Sequence, residues 1–93
     1  MAAGAEQAAQ FLRALASPHR LMILCTLSQG ERSVGGLAAA LAVAQPNVSQ
    51  HLFKLKAMGL VAARREAQTI YYRLAAPGVR PIIDRLYAMF CGR

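Results

Sequence analysis

Three sets of side chains in this 93-residue chain have types and spacing that could do chemistry: two cysteines, a row of amides and hydroxyls, and a series of basic residues. Cys25 and Cys91 are the only thiols. No C-x-x-C and no paired Cys/His spacing surrounds them, which removes a disulfide framework and a structural zinc site. A thiol beside a cation is a nucleophile and an oxidation target, whereas one among apolar neighbours is inert packing. Cys25 lies in LMILC, near Leu21, Leu24 and Leu27, where any apolar residue would serve. Cys91 has Arg85 and Arg93 near it in sequence, and a nearby cation favours a thiolate.

The amides and hydroxyls fall in QPNVSQHLFKLKAM, residues 45–58. Val48, Leu52, Leu55 and Met58 recur at helical spacing and form the expected buried stripe, with Asn47, Gln50, His51 and Lys54 on the opposite face. Pro46 sits in the first turn. Gln45, Asn47, Ser49, Gln50 and His51 carry the donors and acceptors that base edges require. Lys54, Lys56, Arg64, Arg65 and Arg73 supply charge suited to phosphates, which adds affinity and salt dependence but little sequence choice. Alone, such a face is the solvated side of an amphipathic helix, and His51 alone is equally a structural histidine bonded to backbone. A basic hairpin follows this helix in a chain with 11 Lys plus Arg, 4 Asp plus Glu and a net charge of +7, and that combination points to nucleic acid.

The elements that must position these groups follow from local signals. Phe11, Leu12 and Leu15 set a first helix over 6–16. Ser17-Pro18 reads as an N-cap with proline at the first helical position, opening a second helix that Gly30 can end in a left-handed cap. Ser33 caps a third through residue 41, with Gly36 at its third position where a capping-box acid would reach back. The polar helix then stops at Gly59. Two extended runs, 60–65 and 68–74, flank a turn at Glu66-Ala67, and Ile70, Tyr72 and Leu74 alternate with Tyr71 and Arg73 as in a half-buried strand. A last helix, 79–91, carries Ile82, Ile83, Leu86, Tyr87, Met89 and Phe90, an apolar surface too broad for a small core and suited to a subunit interface. The order gives an α+β, mainly helical winged helix-turn-helix, α1-α2-α3-α4-β1-β2-α5, as one domain over 1–93.

Composition agrees. The apolar fraction of 56% includes 19 alanines, leaving 33 larger apolar side chains, a thin core that gains from a partner subunit. No apolar run approaches a membrane span, and MAAGAEQAAQ carries an acid and no base, unlike a secretory signal. A cytoplasmic location is expected, where thiols stay reduced.

Nearly the whole chain, from Phe11 to Cys91, resembles the ArsR/SmtB family of bacterial repressors, most specifically in SPHRLMIL, VSQHL with GLV, and RREAQTIYYRL. The resemblance implies a homodimer paired through its first and last helices that binds an imperfect inverted repeat of double-stranded DNA and releases it on meeting an inducer. Ala44 replaces the usual serine cap of the recognition helix, at a cost of about 1 kcal/mol, and Gly36 stands where a Glu is common. The family's usual metal positions are vacant here: ERSVGGL opens the third helix without cysteine or histidine, and the last helix offers only Asp84. No metal or cofactor is therefore expected. The placement of Cys25 and Cys91 is similar to the SqrR/BigR/HlyU-like dithiol branch, which implies that persulfide or a related oxidant bridges the two thiols within a subunit, by a disulfide or through added sulfur atoms. Three other readings stay open: a metal-responsive repressor using, for instance, Cys91 with His19; a repressor whose cysteines only pack; and a small thiol oxidoreductase, which lacks a C-x-x-C and an evident substrate cleft. A binding protein rather than an enzyme is expected.

Overall fold

The computed structural model describes residues 2–75 and 78–91. Five helices and a three-stranded antiparallel sheet follow one another as α1 (Ala2–Leu15), α2 (Pro18–Ser28), β1 (Arg32–Ser33), α3 (Val34–Leu41), α4 (Gln45–Ala57), β2 (Val61–Glu66), β3 (Thr69–Leu74) and α5 (Val79–Phe90). The fold is a winged helix-turn-helix. It holds one strand more than the sequence suggests, so the two extended runs become β2 and β3.

Local chemistry accounts for most boundaries. α1 begins at Ala2, four residues before the expected start at residue 6, because its first turns are rich in alanine, the strongest helix former. Ser17 is extended and its Oγ accepts the Arg20 amide at 3.4 Å, with Pro18 at the first helical position. Arg20 also turns back on α1, where its Nε donates to the Ala14 carbonyl at 2.6 Å and its Nη2 to that of Arg13 at 3.2 Å. These bonds satisfy carbonyls that a helix C-terminus leaves open. α2 ends at Gln29. Gly30 then takes φ 146°, a conformation favoured by glycine but different from the left-handed helical cap expected of it.

Ser33 accepts the Gly36 amide at 3.0 Å and starts α3. α4 starts at Gln45 after the N-cap Ala44, which has no hydroxyl and makes no side-chain cap. Its end is a Schellman closure: Leu60 N–H donates to Leu55 O at 3.0 Å and Gly59 N–H to Lys56 O at 2.9 Å, with Gly59 at φ 75°. In the wing, Glu66 pairs with Thr69, leaving a two-residue turn in which Ala67 adopts φ 57°. β3 is the central strand, with β2 on one side and β1 on the other through Arg32 opposite Tyr72 and Ser33 opposite Tyr71.

All five helices and strands β2 and β3 feed one apolar core, in which Leu24, Leu37, Leu52, Leu55 and Ile83 are fully buried. Met58 departs from its expected place in the α4 stripe and is 43% exposed, since it is the C-cap, where the chain leaves the helix. α5 packs on α2 and is tied to it by Arg80, whose Nη1 donates to the Ser28 carbonyl at 2.7 Å. Its other side stays open: Ile82, Tyr87, Met89 and Phe90 are exposed, as is Leu12 of α1. Among the described residues, no helix is long and apolar enough to cross a membrane.

Candidate nucleic-acid interface and thiol cleft

α4 rests on Val48, Leu52 and Leu55, all buried, and this fixes which side chains turn outward. Gln45, Pro46, Asn47, Ser49 and Gln50 are exposed, and so are Lys54 and Lys56 further along. A groove of about 480 Å³ separates the start of α4 from the wing, with Ser33, Gln45, Ser49, Gln68 and Thr69 on its walls. Phe53, which spacing alone assigned no role, is 75% exposed on α4. It lies four residues after Ser49 and three after Gln50, which puts it on the same stripe.

His51 does not share the exposed face with Gln50. It is half-buried, its ring meets that of His19 edge-on with centroids 5.8 Å apart, and its Nδ1 is buried without a hydrogen-bond partner. Burial pushes its pKa down, helped by the positive charge of Arg20, His19 and Lys54. A neutral histidine wedged between α2 and α4 is a packing residue, so it leaves the set of outward-facing groups.

Arg64 also departs from its expected part. Its guanidinium grips Glu31, with Nε at 3.0 and 2.9 Å from the two carboxylate oxygens and Nη2 at 2.8 Å, while Nη1 reaches Glu66 at 3.2 Å and the group lies 4.7 Å from the centroid of Tyr71. The Arg64 bond holds the Glu31 carboxyl below its ordinary range, with Arg73 adding to the effect. Two acids offset this one cation. Arg64 therefore clamps the wing to the loop before β1, and Arg65 and Arg73 are the wing's exposed basic residues that make no ion pair among the described residues. Only the fold could reveal the clamp, because Glu31 is 33 residues from Arg64.

On another side of the core, α2 and α5 enclose an apolar cleft of about 310 Å³ with Leu21, Met22, Leu86, Phe90 and both cysteines in its lining. Cys25 is half-buried and Cys91 exposed. Burial pushes the Cys25 thiol up, and negative charge at Cys91 and Asp84 pushes the same way. Of the two cations noted near Cys91 in sequence, Arg85 is exposed and Arg93 lies outside the described residues. Among the described residues, no three His, Cys, Asp or Glu side chains gather as a metal-holding group.

A capped helix pair, a polar recognition helix and a two-stranded wing define a DNA-binding helix-turn-helix module. The model for the arsR family of bacterial regulatory proteins matches residues 17–63. The biofilm growth-associated repressor of Agrobacterium fabrum is 51% identical over 87 residues, covering 94% of this chain and 74% of the relative. Reduced HlyU from Vibrio cholerae superposes with a TM-score of 0.93 at 41% identity, covering 98% of this chain and 96% of that one. A homodimeric winged helix-turn-helix DNA-binding domain from Mycobacterium bovis, described as a possible ArsR-family regulator, gives 0.85 at 40% identity, covering 95% and 82%. The chain belongs to the arsR family of bacterial regulatory proteins. It is a transcriptional regulator and not an enzyme.

Proposed function

We propose that residues 1–93 act as one unit, in the cytoplasm, as half of a homodimeric repressor paired through α1 and α5. It holds an inverted-repeat operator in the reduced state and releases it when Cys25 and Cys91 are bridged by reactive sulfur. The observation that carries this reading is the α2–α5 cleft, whose lining includes both thiols. The exposed apolar side chains of α5 together with Leu12 supply a surface for the second subunit, and the M. bovis domain with the same fold is homodimeric. In the reduced dimer Gln45, Asn47, Ser49 and Gln50 face base edges around Pro46, with Lys56, Arg65 and Arg73 toward phosphates.

Exposure makes Cys91 the first to react. Its thiolate attacks the outer sulfur of a persulfide R–S–SH, forming Cys91–S–SH and releasing the thiolate RS⁻. Cys25 then gives up its proton as its sulfur attacks the Cys91 sulfur and expels HS⁻, which takes up that proton and leaves as H₂S, with a disulfide left behind: two thiols are oxidised and one sulfane sulfur is reduced to sulfide. If each cysteine first takes up a sulfane sulfur, the two persulfides condense to a trisulfide with loss of H₂S, which spans a wider gap than the roughly 4.4 to 6.8 Å between α-carbons that a disulfide tolerates. Either bridge fixes the angle between α2 and the dimer helix. Half-sites one turn apart require recognition helices roughly 34 to 36 Å apart, so a changed angle costs affinity. Cys25→Ser and Cys91→Ser are expected to bind the upstream promoter fragment normally and to stay bound when persulfide is added, in a mobility-shift assay paired with intact-mass spectra. Release of DNA by persulfide in either serine variant overturns the two-thiol switch.

A further inference from the structure

A second cleft, of about 420 Å³, opens between α1, α2 and α4, and three cations line it: Arg13, Arg20 and Lys54. No carboxylate lines it, and among the described residues none of the three makes an ion pair. Of the four acids in the chain, Glu31 and Glu66 bind Arg64, Asp84 belongs to α5, and Glu6 lies on α1 seven residues before Arg13, roughly 10 Å away along the helix axis. His51 lies close by: burial lowers its pKa, and the charges of Arg20 and Lys54 add to that effect. Arg20 is tied to the end of α1 by its bonds to the Ala14 and Arg13 carbonyls. Three converging cations without an acid make a site for a doubly or singly charged oxyanion.

We propose that this cleft binds a phosphate group, and that in the complex described above it takes a backbone phosphate of duplex DNA beyond the bases read by α4. The assignment of the duplex as the source rests on that DNA-binding reading. Lys54 is one helical turn past Gln50 on the same stripe, a rise of roughly 6 Å, while each strand presents a phosphate about every 3.4 Å along the duplex axis. Lys54 thus carries the stripe of Gln50 into the cleft, where Arg13 and Arg20 add cations from α1 and α2.

The test compares the reduced wild-type protein with Arg13→Gln, Lys54→Gln and the double variant. Arg20 is left intact because it caps α1, and Arg85→Gln on α5 removes the same charge elsewhere. Binding to a 30-base-pair duplex of arbitrary sequence is measured across ionic strengths, and inorganic phosphate is titrated separately while the ring proton signals of His19 and His51 are followed. Each cleft variant is expected to flatten the slope of log K against log salt by roughly 0.9 per phosphate lost, with Arg85→Gln leaving it unchanged. Inorganic phosphate that shifts the histidine signals in the wild type and not in the double variant, with equal duplex slopes, supports the cleft and assigns it to a free anion. Unchanged slopes together with no phosphate-dependent shift overturn the proposal. Because the duplex is arbitrary and the phosphate arm contains no DNA, failure to recognise the upstream promoter fragment sinks the operator reading without touching this one.

Discussion

The outer face of α4 and the cleft between α2 and α5 share one core, yet the core presents them to very different surroundings. On α4, Asn47, Ser49 and Gln50 stand in solvent above the buried Val48 and Leu52. In the cleft, Cys25 looks out between Leu21, Met22, Leu86 and Phe90, and the surroundings hold it protonated. A reading surface needs side chains that exchange water for a base edge at little cost, and exposure supplies that. A thiol trigger needs one sulfur that stays silent until its partner has been modified, and desolvation supplies that. The two regions differ by the amount of water each is allowed, and α2, which packs on α5 and meets α4 through His19 and His51, borders both.

Disturbing the shared core gives the largest effect. Leu24 of α2 has no exposed surface and lies in sequence beside Cys25. Leu24→Ala should cost about 2–5 kcal/mol of unfolding free energy, from lost transfer energy plus the cavity left behind, read as a lower midpoint in urea. Both regions should fail together: DNA affinity falls and Cys25 becomes accessible to alkylating reagents. If Cys25 protection survives that loss, the two regions are not coupled through this core.

Separating the regions gives a smaller effect. Asn47→Ala and Gln50→Ala each remove a group suited to bidentate contact with adenine and should cost about 1–3 kcal/mol of binding to a preferred site, roughly 5- to 200-fold. Binding to arbitrary duplexes should barely change, because phosphates supply that affinity. The reaction of Cys91 with persulfide should be unaffected. A uniform loss across all sequences would mean that these amides hold backbone instead of bases.

How much of this was legible depended on how local each signal is. The caps at Ser17 and Ser33, the stop at Gly59 and the stripe of Val48, Leu52 and Leu55 depend on residues within a few positions of one another, and all appear where spacing put them. β1 is two residues long, too short for any periodicity, and exists because Tyr71 and Tyr72 of β3 offer it a partner. His51 reads as outward-facing and Arg64 as a free cation because their own neighbours in sequence are polar. Their true partners, His19 and Glu31, come from other elements and meet them only after folding. The cleft of Arg13, Arg20 and Lys54 was hidden for the same reason, although basic residues recurring near helix ends were a usable hint.

The smallest effect isolates α4 alone. Ala44 is the N-cap of this helix and makes no side-chain bond to it, while its carbonyl already accepts the amides of Asn47 at 3.0 Å and Val48 at 3.2 Å. Pro46 has no N–H, so the Asn47 amide is the donor that a hydroxyl at residue 44 would satisfy. Ala44→Ser should therefore add roughly 0.5–1 kcal/mol, a rise in melting temperature of about 2–8 °C for a domain of this size. The gain is confined to the recognition helix, so hydrogen exchange in the first turn of α4 should slow while exchange in α2 and α5 follows only the global change, and the persulfide response of the thiols should stay as it was. A serine that stabilises the protein and also blocks release would show that fraying at the start of α4 is part of the switch, and would join two regions that the structure keeps chemically apart.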